Sequence, residues 1–93
     1  MKIRISQKIQ EKIDSRNISQ LELWQCFHNI EGDYLEDTRA EHLTDPITQW
    51  FVAETDKGRL LKIMFVSRDD GVELKSAYEA SDEICRIYRK YGM

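Results

Sequence analysis

The chain is short of the residues that break, staple or stretch a fold. Pro46 is its only proline, and no segment is rich in proline, glycine and serine together. A flexible linker is therefore excluded, and 93 residues are enough for one compact domain spanning 1–93 but not two. The four glycines are scattered through the chain, so there is no glycine-rich loop to cradle a nucleotide phosphate. Cys26 and Cys85 are the only cysteines and form no C-x-x-C. That excludes a disulfide scaffold and a zinc ribbon, and both thiols are expected to be reduced and partly buried on helices. No apolar run is long enough to span a membrane. The opening MKIRISQKIQEK has no apolar signal-peptide core, and the expected location is the cytoplasm. An excess of positive charge is also missing. The net charge is -3 and the pI about 5.4. This argues against binding nucleic acid through bulk charge, while leaving room for a local basic face.

The residues that are present give well-punctuated elements. Ser6 is placed to cap a first helix ending near Arg16, with Ile9 and Ile13 as its apolar stripe. Ser19 and Glu22 form a capping box for a second helix, with Ile18 and Leu23 spaced as a hydrophobic staple. That helix should bury Leu23, Trp24 and Phe27 and stop by Gly32. YLED reads as a short edge strand, and TQWFVAET as a strand of β-branched and aromatic residues. Asp56-Lys57-Gly58 is a turn with Gly58 free to adopt positive φ. RLLKIMFVS is apolar on both faces, as a central strand is, and VELKSAY follows after the turn ending at Gly71. Ser81 caps a last helix whose buried face is expected at Ile84, Ile87, Tyr88 and Tyr91. The fold class is α+β: an N-terminal helix pair, an antiparallel meander of three to four strands, and a C-terminal helix.

Several chemistries can be weighed on residue type and spacing. His42 with Glu41, Asp37 and Asp45 offers metal-ligand atoms, but no zinc or EF-hand spacing accompanies them. No metal and no cofactor is expected. Covalent catalysis lacks a nucleophile elbow, and His28 reads as a surface residue near a helix end. Metal-free RNA cleavage needs cations for the phosphate and proton donors and acceptors around it. The inventory exists: Arg59, Lys62 and Lys75 for phosphate, and Glu41, His42 or Tyr78 for protons, with Arg39 and Glu79 nearby in type. The bland alternative is a solvated loop and an ordinary charged sheet face.

Two motifs and the order of elements carry a resemblance. GRLLKIMFV from Gly58 to Val66, followed by VELKSAYEASDEICRIYRKYG, resembles the second half of BrnT-family toxins. These belong to the RelE-like ribonucleases of bacterial type II toxin–antitoxin systems. Gly58 and Arg59 match that family's Gly-Arg before a hydrophobic strand. Ser76 and Ala77 match the middle of its strand-end motif, and Glu83 and Tyr88 fall on its helix positions. Asp37, Arg39 and Glu41 match its D-x-R-x-E loop. Tyr78 stands where the family has an arginine, and Lys75 where it has isoleucine. The resemblance implies an endoribonuclease with Arg39, Glu41, His42, Arg59, Lys75 and Tyr78 as site residues. It also implies neutralisation by a small antitoxin protein. The acidic stretch from residue 31 to 45 suggests a different class: an immunity protein that lays carboxylates over the basic site of a toxin domain.

Overall fold

The computed structural model describes residues 1–39 and 43–93; Glu41 and His42 of the candidate set lie outside the described residues. The chain is α+β. In order it forms β1 (Lys2–Arg4), α1 (Gln7–Ser15), α2 (Gln20–Asn29), β2 (Leu35–Glu36), β3 (Gln49–Glu54), β4 (Leu60–Arg68), β5 (Gly71–Glu79) and α3 (Asp82–Gly92). The three helix starts follow from their caps. Ser6, Ser19 and Ser81 each accept the N–H three residues on, satisfying a donor that has no partner within the helix. At Ser19 the box is reciprocal, because Glu22 accepts the Ser19 N–H at 3.0 Å.

α1 ends in a Schellman turn. Asn17 sits at φ 55°, its N–H donates to Asp14 O, and the Ile18 N–H donates to Ile13 O. Asn tolerates this left-handed conformation better than bulkier residues. The accompanying apolar pair is in place, with both Ile13 and Ile18 buried.

The sheet has five strands in the order β1-β5-β4-β3-β2. β2 to β5 are the expected antiparallel meander. β1 adds a strand the sequence did not announce, pairing parallel to β5 from Lys2↔Gly71 to Arg4↔Glu73. Gly71 makes this possible, since a Cβ there would overlap the Lys2 carbonyl.

Phe51, Ala53, Leu61, Ile63 and Phe65 alternate along β3 and β4 onto one face, where the helix pair covers them. Phe27 of α2 meets Phe51 and Phe65 edge to face, with ring centroids 4.9 and 5.4 Å away. Such pairs add about 0.5–1.5 kcal/mol each beyond area burial. Cys26, rather than Trp24, completes the buried stripe of α2; Trp24 remains exposed. The buried face of α3 is also narrower than expected. Tyr88 is buried, while Ile87 and Tyr91 are exposed, because α3 lies against β3 and not across the whole sheet.

A bulge reverses the phase of β5. Met64 pairs with Ser76 and Phe65 with Leu74, leaving Lys75 as the extra residue. Leu74 and Ala77 therefore share the helix-covered face, and Ser76 joins the opposite one. Simple alternation along VELKSAY would put Ser76 on the same face as Leu74.

Candidate functional site: the open sheet face

The face turned away from α1 and α2 carries Trp50, Lys62, Met64, Ser76 and Tyr78. α3 covers it only along β3. At its centre is Lys62, on the middle strand and directly opposite Tyr78 of β5. Its Nζ lies 4.7 Å from the Trp50 ring centroid and 5.6 Å from that of Tyr78. Lys62 is only 8% exposed. Among the described residues no carboxylate or carbonyl accepts a hydrogen bond from its ammonium. Aromatic faces attract a cation by up to about 2 kcal/mol when it is desolvated, but they do not neutralise it. The stem is packed away while the ammonium, which has no hydrogen-bond partner among the described residues, keeps some contact with water. An anion arriving at this point would therefore meet a cation with no carboxylate already on it.

The aromatic and cationic groups continue in a row. Arg16 stacks on Tyr78 at 5.8 Å, and Trp50 meets the Tyr88 ring at 5.8 Å. Tyr88 is itself fixed, donating through its hydroxyl to Asp33 O at 2.8 Å; burial first, and then the Asp33 charge, hold its phenol in the protonated form. Toward the far end of the same face, Glu73 accepts from Arg68 and from Lys75, at 2.8 and 3.1 Å. The Arg68 and then the Lys75 contact hold its carboxyl below the usual range. It is a poor base, and the two cations against one carboxylate leave this corner with one net positive charge.

The structure divides the sequence candidates. Lys62, Lys75 and Tyr78 share the open face. Arg59 does not join them. It turns toward the α1–α2 corner, where Nη2 donates to Arg16 O at 2.9 Å and Nη1 to Asn17 O at 2.6 Å. Nη1 also reaches Glu22, and Nε reaches Glu79 at 2.9 Å. Its guanidinium is committed to holding the helix pair on the β3–β4 hairpin. Arg39 is bidentate to the buried Asp37 at 2.9 and 2.8 Å, beyond β2. Pro46 of the following loop lies in a groove with Ser67 and Arg68, at the opposite end of β4 from Arg59. Nine residues of strand, roughly 25–30 Å, separate those ends. Arg39 and Arg59 therefore do not form one cluster.

Trp50 was missed as a site residue. The available signal was a lysine in the middle of the otherwise apolar LLKIMFV, since a central strand carries a charge only where something accommodates it. Among the described residues, no group of three or more His, Cys, Asp and Glu is arranged to hold a metal ion. No described helix is long and apolar enough to cross a membrane.

The chain matches no family model, no curated protein and no solved structure.

Proposed function

We propose that the protein is a toxin-like endoribonuclease of the BrnT and RelE-like kind, working without a metal in the cytoplasm and restrained by a small antitoxin protein. The observation that carries this reading is the mostly buried Lys62 side chain, whose ammonium lies between Trp50 and Tyr78 with no carboxylate partner among the described residues. An RNA strand supplies what that arrangement lacks. A phosphate takes the ammonium, and unstacked bases take the aromatic faces, as on other single-strand-binding surfaces. In this placement the neighbouring 2′-hydroxyl of the RNA attacks the phosphorus and gives its proton to water as the P–O5′ bond breaks. Tyr78, beside the phosphate, can donate a proton to the departing 5′ oxygen. Lys75 adds positive charge further along the face. Arg59 is a positioning residue here, acting through the helix corner.

The test is inducible expression together with cleavage of short single-stranded RNA by purified protein. Wild type should arrest growth and cut RNA. Lys62→Met keeps the apolar stem and should lower cleavage by about a hundredfold or more, and Tyr78→Phe should slow it with less effect on RNA affinity. Absence of both growth arrest and cleavage by folded wild type would sink the proposal.

A second reading rests on the exposed carboxylates Glu31, Asp33, Glu36 and Asp45 and the net charge of -3. On it, the protein is a non-enzymatic immunity protein that caps a basic toxin domain. Recovery of such a domain in a pull-down, with an association rate that falls steeply with salt, would favour it over the nuclease.

A further inference from the structure

On the other side of α3 is a cleft of about 640 Å³, within the range of ligand clefts. Residues 52 to 56 all line it consecutively, so its floor is the outer edge of β3. The ladder between β2 and β3 stops at Leu35↔Trp50, because the chain before β2 is diverted. The Asp33 N–H donates to Gly92 O, and Asp33 O accepts from Tyr88, so this backbone secures the end of α3 and leaves β3.

Strand alternation shows which groups face the cleft. Thr48 O accepts from Asp37 N–H on the outer side, while Thr55 N–H donates to Arg59 O on the inner side. Even-numbered residues of β3 therefore point their backbone groups outward. Glu54 O is taken by Asn29 Nδ2 at 2.9 Å. The Val52 N–H, the Val52 C=O and the Glu54 N–H have no partner among the described residues. The free edge of β5 is treated differently, with Arg16 donating to Ala77 O at 3.0 Å. Proteins ordinarily cover or blunt such edges; this one is left open inside a cleft. Among the described residues around it, Glu31, Glu54 and Asp56 face Arg89, three carboxylates to one guanidinium.

We propose that this cleft takes an extended, basic segment of a partner protein as an added strand on β3. Val52 gives and receives one hydrogen bond each, Glu54 gives a third, and the carboxylates select lysine or arginine beside the strand. This is recognition by strand addition, and it uses none of Trp50, Lys62, Lys75 or Tyr78. It therefore stands or falls separately from the RNA reading.

The probe is a set of capped hexapeptides alternating a basic residue with valine, threonine or leucine, titrated into ¹⁵N-labelled full chain. The Val52 and Glu54 amide signals should shift, and Cys85, which lines the cleft, should become protected from alkylation. The same peptides N-methylated on the pairing face should bind about tenfold more weakly. Glu31→Lys with Glu54→Lys, both exposed positions, should weaken binding at least as much while leaving the thermal midpoint unchanged. Equal binding by the N-methylated peptides, shifts confined to another surface, or no shift at millimolar peptide would each overturn the proposal.

Discussion

Replacing Arg59 with alanine separates a structural guanidinium from one that waits for a ligand. In the folded chain the side chain donates to two backbone carbonyls of the α1–α2 corner and to the carboxylates of Glu22 and Glu79. Hydrogen bonds involving a charged group are worth about 1.5–3 kcal/mol each when buried. Here the Arg59 side chain is 25% exposed and that of Glu79 is 67% exposed, so water recovers part of the loss. The Glu79 pair contributes about 0–1 kcal/mol. The two carbonyls and Glu22 dominate, and Arg59→Ala should cost about 2–3 kcal/mol in all. For a domain of this size that is a fall of roughly 8–24 °C in thermal midpoint. Arg59→Lys keeps the charge but loses the planar fork that reaches both carbonyls and both acids, so it should recover less than half of the stability. The assay is urea unfolding followed by far-UV circular dichroism, read as a lower midpoint at unchanged slope. An Arg59→Ala protein within about 0.5 kcal/mol of wild type would refute the reasoning and return Arg59 to the list of ligand-binding groups.

Three further outcomes follow from single contacts. Gly71→Ala should cost about 1–3 kcal/mol through overlap with the Lys2 carbonyl, and amide exchange should speed up in β1 while the Ile63 amide stays protected; retention of β1 protection would refute the clash. Cys26 is buried, donates to Ala53 O, and has its thiol pushed up to about 12 by burial and then by Glu22, so iodoacetamide should modify Cys85 in the native protein and Cys26 only on unfolding; equal native rates would contradict this. The Ser19 N–H, and then Arg59, hold the Glu22 carboxyl below its ordinary value against the opposing effect of partial burial. Its contribution is therefore complete above the unfolded carboxylate pKa and is lost as pH falls through the lowered folded value. Glu22→Gln should flatten the acid limb of the stability curve below about pH 4.5 and leave the slope above pH 6 unchanged; an identical acid limb would count against it.

The local elements were readable because their causes are local. Ser6, Ser19 with Glu22, and Ser81 cap helices through neighbours three residues away, and Gly58 takes its positive φ in a turn of its own residues. β3, β4 and β5 announced themselves by apolar and β-branched runs. The candidate site was legible only in part. Lys62, Lys75 and Tyr78 could be named as chemistry-bearing types, but not as neighbours. Arg59 stood out through a resemblance to a Gly-Arg motif, and nothing within GRLLK indicates that its partners are carbonyls at residues 16 and 17.

Sequence by itself thus determined the α+β class, the helix starts and the hairpin turn, since each depends on spacing within a few residues. Tertiary structure decided the rest, because long-range pairing has no short-range signature. Docking of β1 on Gly71 made the sheet mixed and five-stranded. A single extra residue at Lys75 put Ala77, and not Ser76, on the helix-covered face with Leu74. Cross-strand pairing put Lys62 between two rings, and diversion of the chain at Asp33 left the β3 edge open. These outcomes turn on which distant backbone pairs with which, and only the assembled sheet settles that.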